Sequence, residues 1–188
     1  MTTAVNTPHR HVRNPVPEPT PADVRVRRIE PADSDALRQF YTALSAESRR
    51  RRFLSVSTRF GDTESRYLCG PDHDHREGFV AEVTGASSKR RIIGHVCMEP
   101  CGPHEMEIAI AVADRFQGQG IGHRLTDEAI GWAEAHGIQR VLAWSAWDNA
   151  AIRRLVESLH RPIRHGPSSG VVETIIELQP PLGARDAA

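Results

Sequence analysis

Cysteine is scarce in this chain. Cys69, Cys97 and Cys101 are the only three, an odd number without the paired spacing of a disulfide framework. A small disulfide-stapled secreted fold is therefore excluded, and a reduced, cytoplasmic setting is expected. Long apolar runs are missing too: none approaches the ~20 residues of a membrane-spanning helix. The N-terminus has no apolar stretch of the signal-peptide kind, so no secretory signal is expected. Neither sign of charge is in excess, with 24 basic and 24 acidic residues. That balance argues against a nucleic-acid backbone or a membrane surface as the main partner. Lysine is nearly absent, Lys89 standing alone; this reads as codon bias and carries no functional argument. What remains is a chain of 188 residues, long enough for one domain with a real core.

The rest of the chain is organised around Met106 to Gly122, MEIAIAVADRFQGQGIG. Met106 to Ala113 is apolar with one charge and reads as a strand. A glycine-rich turn follows, Gln117-Gly118-Gln119-Gly120-Ile121-Gly122, and then a helix to about His136, with Gly137 as its left-handed cap. Exposed N–H groups at a helix N-terminus, with no Cβ atoms in the way, make an anion site, so a phosphate-bearing ligand is expected. A P-loop would need Gly-Lys-Ser/Thr, but Gly122 is followed by His123 and Arg124. A dinucleotide fingerprint needs G-x-G-x-x-G, but position 123 is His and no acid stands near Arg140 to take the ribose. The pattern Q/R-x-x-G-x-G/A is satisfied by Gln117, Gly120 and Gly122. An ordinary glycine-rich strand-to-helix turn is the plain alternative.

Residues 1–22 hold Pro8, Pro15, Pro17, Pro19 and Pro21 and few apolar side chains, which predicts a disordered or extended tail. Pro180-Pro181 ends the domain, leaving one unit over 23–179 and a flexible tail over 180–188. Within it, Val24 to Ile29 reads as a strand. Pro31-Ala32-Asp33 opens a helix capped by Asp33 or Ser34, with Ala36, Leu37, Phe40, Tyr41 and Leu44 on one buried face. Arg49-Arg50-Arg51-Arg52 reads as a solvated helix face, and Thr63 to Cys69 as a short helix. Phe79 to Val83 and Arg91 to Glu99 form a hairpin about Gly85 to Lys89, and Pro100 to Pro103 turns into the strand Glu105 to Ala113. The next helix carries Ile121, Leu125, Ala129, Trp132 and Ala133 on one stripe. Arg140 to Trp144, set between helices, is expected to be a parallel, buried strand. Asp148 or Asn149 caps a helix to about Leu159, Pro162 breaks it, and Val171 to Leu178 is the final strand. Antiparallel hairpins joined to one strand–helix–strand unit give an α/β (α+β) fold, a mixed, mostly antiparallel sheet flanked by helices. Asp72-His73-Asp74-His75, and His95 with Cys97, Cys101 and His104, are metal-ligand types. Adjacent loop residues rarely converge on one ion, however, and Cys101-Gly102-Pro103 is a turn, so no metal is expected.

The Gln117–Gly122 pattern, the strand before it, the helix after it and the Asn149 helix start together resemble the acetyl-CoA pyrophosphate site of the GNAT N-acetyltransferase superfamily. The resemblance covers roughly Val24 to Leu178. Ala43 to Ser48 followed by Arg52-Phe53, the Asp72–His75 loop, and Glu105-Met106-Glu107-Ile108-Ala109 are similar to the catalytic domain of bacterial protein-lysine acetyltransferases that act on acyl-CoA synthetases. Some of those carry a cyclic-nucleotide-binding domain; residues 1–22 leave no room for one, so that regulation is not expected.

The resemblance implies acetyl-CoA as cosubstrate and a primary amine as acceptor, a protein lysine first and a small-molecule amine second. A non-catalytic acyl-CoA-binding module is the alternative from another class. The pyrophosphate would lie on the backbone of Gln117, Gly118, Gln119, Gly120, Ile121 and Gly122. The pantetheine amides would pair with Ile110, Ala111 and Val112, and Asn149 would touch the pantetheine arm. A lysine of pKa about 10.4 must lose its proton before it attacks. Glu107, with small Ala109 and Ala111 on its strand face, matches the place where related enzymes hold their base, and Glu105 is the fallback. A backbone N–H near Ala111 or Val112 would stabilise the oxyanion. Many GNAT proteins place a tyrosine acid near the position of Val156; none lies between Asn149 and His160, so solvent protonation of the leaving thiolate is expected. The walls of an open acceptor cleft are expected from Ser45 to Phe53, Asp72 to His75 and Arg161 to Gly170.

Overall fold

The computed structural model describes residues 23–55, 60–84, 90–166 and 170–178; the two expected tails and the Gly85–Lys89 turn lie outside them. Seven strands form one sheet: β1 (Val24–Arg28), β2 (Glu77–Thr84), β3 (Arg90–Gly102), β4 (Glu105–Val112), β5 (Arg140–Ala146), β6 (Ile163–His165) and β7 (Val171–Glu177). Their order is β1-β2-β3-β4-β5-β7-β6. Every pairing is antiparallel except β4 with β5. Five α-helices accompany the sheet: α1 (Ser34–Ala43), α2 (Ala46–Phe53), α3 (Asp62–Leu68), α4 (Ile121–Ala135) and α5 (Ala150–Glu157). A parallel pair needs a crossover, and α4 is that crossover. The architecture is the mixed, mostly antiparallel sheet with flanking helices that the order of elements predicts.

Side chains alternate along each strand, and that alternation divides the core in two. On one face Val96, Met98, Met106, Ile108, Val141 and Ile176 pack under the α4 stripe of Ile121, Leu125, Ala129 and Ala133. On the other, Val80, Ile92 and Ala111 meet Leu37, Phe40 and Tyr41 of α1 and Cys69 after α3. Gly94 of β3 has no Cβ for a reason: Leu125 Cδ1 would lie 2.8 Å from it. Bare backbone there lets α4 settle onto the sheet and fixes the height of its N-terminal turn.

Two expectations change in detail. The segment after β1 is three helices rather than two, because Leu44 is extended (φ −63°, ψ 148°) and the Ser45 hydroxyl caps a new helix by accepting the Ser48 N–H at 3.1 Å. The β3–β4 turn is also shorter than Pro100 to Pro103. β3 continues through an irregularity at Pro100–Gly102, and the chain reverses at Pro103-His104, with His104 at φ 56°.

Candidate active site

β4 and β5 pair only from Glu105 with Arg140 to Ile108 with Ala143. β4 meanwhile stays paired with β3 as far as Val112. Beyond Ile108 the two parallel strands therefore separate, and the edge of residues 109–112 that faces β5 carries no partner strand. A cleft of about 400 Å³ opens in the gap. Because it is a split in the sheet, residues of both faces reach it: Ile108, Ile110 and Val112 from one, Ala109 and Ala111 from the other. An extended, amide-bearing chain can add to such an edge as a strand would.

The glycine-rich turn closes one end. The first helical hydrogen bond of α4 runs from Arg124 N to Gly120 O at 3.1 Å, so the N–H groups of Ile121, Gly122 and His123 have no helical acceptor. Gly118 and Gly120 sit at φ 72° and 78°, a region that side chains resist, and a Cβ on either would meet nothing within 4 Å. The space over the turn is open and the donors point at an anion-sized site, which fits a pyrophosphate. Gln117 holds the turn in place: its Nε2 donates to Val112 O at 3.0 Å and to Ser48 Oγ at 3.2 Å. Asp114 fastens α2 to the same corner, accepting from Ser45 N, Ser45 Oγ and Ser48 Oγ at 2.9, 2.7 and 2.7 Å. Burial works against its charge, but those donors hold the carboxyl below its ordinary value.

Of the expected contact residues, Ile110, Ala111, Val112, Gln117, Gly118, Gly120, Gly122 and Asn149 line the cleft. Asn149 does double duty, its Oδ1 also accepting the Ile152 N–H at 3.3 Å as the cap of α5. Gln119 and Ile121 do not line it. The Gln119 amide donates to Arg115 O at 2.9 Å, and the Ile121 side chain is in the core. Only their backbone belongs to the turn. Val156, where a tyrosine acid would stand, is buried at the cleft wall. Both tyrosines are engaged elsewhere, Tyr41 Oη lying 2.9 Å from His95 Nδ1 and Tyr67 Oη donating to Glu99 at 2.9 Å.

Glu107 lies two residues back from Ala109 on the same face of β4, half-buried just beyond the cleft lining. It stands opposite Glu99 of β3 and beside Leu142 of β5. Its acidic neighbours are occupied. Arg76 grips Glu99 with two bonds of 2.7 and 2.8 Å, and Arg140 pairs with Glu105. Glu107 makes no hydrogen bond or ion pair with the described residues, which leaves its carboxylate available and demotes the fallback Glu105.

Of the three expected walls, Ser45 to Phe53 lines the cleft through Ser48, Arg51 and Arg52 of α2, whereas no residue of Asp72 to His75, nor any described residue of Arg161 to Gly170, does. Thr126 of α4, Trp144 of β5 and Arg154 of α5 escape sequence reasoning. The four consecutive arginines are not one solvated face. Arg50 and Arg51 pair with Glu47, Arg49 donates to the carbonyls of Thr42 and Leu44, and Arg52 turns inward. Nor is β5 buried on both faces: Val141 and Ala143 face the core, but Leu142 is half-buried and Trp144 is 44% exposed. Beneath this end lies a buried polar layer. Burial, with the charge of Arg52 second, drives the His95 imidazole down to about 3, and burial pushes Tyr41 up to about 12. Burial likewise pushes the Cys97 thiol up, so it stays protonated. The Asp72 carboxylate is used by its own loop, accepting the N–H groups of Asp74, His75 and Arg76 at 3.1, 2.8 and 2.9 Å. Among the described residues no cluster of three or more His, Cys, Asp or Glu could hold a metal, and no helix is long and apolar enough to cross a membrane.

Comparison with known proteins agrees with this geometry. The chain is similar to an acetyltransferase of Pseudomonas aeruginosa, 26% identical over 132 residues that span 70% of this chain and 71% of the relative. The GNAT domain of PAT from S. lividans superposes with a TM-score of 0.74 at 25% identity, covering 82% of this chain and 90% of that one. A Salmonella typhimurium protein whose structure holds its cofactor acetyl-CoA shares the fold, with a TM-score of 0.63 at 20% identity over 83% of this chain and 93% of that one. The family model for the acetyltransferase (GNAT) family matches residues 37–160, from α1 to the end of α5. The chain belongs to the GNAT acetyltransferase family, and is an acyltransferase.

Proposed function

We propose that this acyltransferase moves the acetyl group of acetyl-CoA to a lysine side chain of a protein, by direct attack with Glu107 as general base. The observation that carries the reading is the unpaired Glu107 carboxylate beside a split sheet, flanked by Glu99 and Glu105, which are each paired with an arginine. The backbone of Gln117 to Gly122 receives the pyrophosphate, the free edge of Ile110 to Val112 receives the pantetheine amides, and Asn149 receives the arm. Arg154 and His123 line the same cleft and add positive or donor character to its walls.

In the transfer, Glu107 takes the proton that the attacking amine must lose. The nitrogen bonds to the thioester carbon, the carbon–sulfur bond breaks, and CoA leaves as thiolate to be protonated by solvent. Rate should rise with the neutral fraction of the amine.

A protein acceptor is favoured by the shape of the Glu107 side. The face of β5 and β7 that carries Leu142, Trp144, Glu173 and Ile175 is half-buried or exposed. Trp147, three residues on from Trp144, is 67% exposed. An open floor with an aromatic platform suits a lysine presented by a folded surface better than a free metabolite, which needs enclosure. The sequence resemblance points to an acyl-CoA synthetase as that protein. The three cysteines are free thiols, in keeping with a reducing compartment such as the cytoplasm. The test is mass spectrometry of candidate synthetases after incubation with the chain and acetyl-CoA. Acetyl addition on lysine that disappears with Glu107→Gln supports the reading. Faster turnover of a polyamine than of any protein would favour a small-molecule acceptor, and binding without turnover would mean a non-catalytic module.

A further inference from the structure

Arg52 is the one arginine of α2 that points into the molecule, and its partners do not suit a cation. Its side chain hydrogen-bonds to Tyr41, a neutral hydroxyl, and Nη2 lies 3.3 Å from the Cys97 sulfur, a weak acceptor. The guanidinium carbon sits 5.0 Å from the Phe53 ring centre and 5.9 Å from that of Tyr41. Nε is buried with no acceptor at all. Among the described residues Arg52 has no carboxylate at ion-pair distance; Glu107 is near enough to feel its field but does not pair with it. A buried guanidinium without an anion is costly and cannot escape by losing its proton. It also lines the cleft beside Ala109 and Ala111, a strand's length from the glycine turn. With the pyrophosphate at that turn, the acyl end of the donor reaches this stretch of β4.

We propose that Arg52 is a catalytic residue whose guanidinium donates to the carbonyl oxygen of the thioester. This rests on the acetyl-CoA reading above. A neutral carbonyl is a modest partner for a cation. As the amine attacks, the carbon–oxygen π pair moves onto oxygen, and the fixed charge of Arg52 stabilises it most when the barrier is highest. When the carbon–sulfur bond breaks, the pair returns to re-form the carbonyl and the negative charge leaves with CoA. Arg52 would thus act from the α2 side, together with a backbone N–H of β4.

The experiment pairs binding with turnover. Calorimetry compares S-carboxymethyl-CoA, which places a negative charge within an atom of the thioester carbonyl, with uncharged S-ethyl-CoA. The native chain should prefer the anion by at least 10-fold, Arg52→Lys should keep part of that preference, and Arg52→Met should abolish it. Turnover uses acetyl-CoA with hydroxylamine, a small neutral nucleophile that needs no docking surface. There Arg52→Met should lower kcat by about 10²–10³-fold, the effect typical of losing one oxyanion donor, while its affinity for S-ethyl-CoA stays within about twofold. Three results would overturn the proposal: no anion preference in the native chain; a preference retained in a folded Arg52→Met; or a rise in KM for a protein acceptor with hydroxylamine transfer unchanged, which would make Arg52 an acceptor anchor. An intact anion preference with no amine acetylated would instead sink the acetyltransfer reading and leave the contact between Arg52 and the donor standing.

Discussion

At the glycine-turn end of the cleft, the groups that face a ligand are backbone: the N–H donors ahead of Arg124 and the bare Cα atoms of Gly118 and Gly120. At the other end they are side chains, Arg52 from α2 and Trp144 from β5, with Glu107 of β4 just beyond the lining. A site made of backbone must be written as a local pattern, because only particular residues permit the conformation. A site made of side chains from three elements has no such pattern, and its members are chosen by packing. The first end should accordingly fail through binding and the second through rate.

The largest effect expected is at the second end. Glu107→Gln keeps the size and removes the proton acceptor, a change that typically costs about 10²–10⁴-fold in rate. Affinity for acetyl-CoA should hardly move. A mutant that turns over near the native rate below pH 8 would place the base elsewhere.

Next is the buried layer beneath that end. His95 titrates at about 3 in the folded chain, against about 6.5 when unfolded. The unfolded chain thus takes up the proton first as pH falls. Stability should hold above pH ~6.5 and then decline with a slope of up to ~1.4 kcal/mol per pH unit. Urea midpoints between pH 6.5 and 5, before most carboxylates titrate, isolate the effect, and His95→Gln should flatten it. An equal slope in that variant would rule His95 out as the source.

Gly120→Asp tests the backbone end. The new side chain is strained at φ 78° and brings a carboxylate to the anion site. Acetyl-CoA binding should weaken by at least ~10-fold, about 1.4 kcal/mol. Calorimetry showing native affinity in folded mutant would remove the turn from the site. The smallest change expected is Trp144→Ala. An exposed aromatic beside a cationic stem contributes on the order of 0.5–1 kcal/mol, so KM for a protein acceptor should rise roughly 2- to 5-fold, with acetyl-CoA affinity unchanged. Equal effects on both substrates would assign Trp144 to the donor side.

What could be read in advance follows the same division. Gln117, Gly120 and Gly122 announced the turn, and the α4 stripe announced the helix that holds it, because both are local rules of backbone and periodicity. Glu107 stands out in the sequence only because small residues share its strand face and because the resemblance points there. The inward turn of Arg52 is not legible among its three identical neighbours: which arginine turns in depends on where Leu44 breaks the helix and on Asp114, 66 residues from Ser48. β5 was read as buried because helices precede and follow it, yet Trp144 lies on its uncovered face.

The brevity of the β4–β5 seam has a mechanical consequence. The half-sheet β1-β2-β3-β4 and the half-sheet β5-β7-β6 are laced to each other only between Glu105 and Ile108. Above that the molecule is a partly opened zipper, with α4 as the tether between its sides. A donor laid along the free edge of β4 and held by Asn149 beyond β5 acts as the missing teeth. Binding should therefore stiffen β5 and β7, beyond any residue the donor touches, in proportion to RT ln(1 + [L]/Kd). Slower amide exchange along Val171–Glu177 on adding CoA would register that bracing.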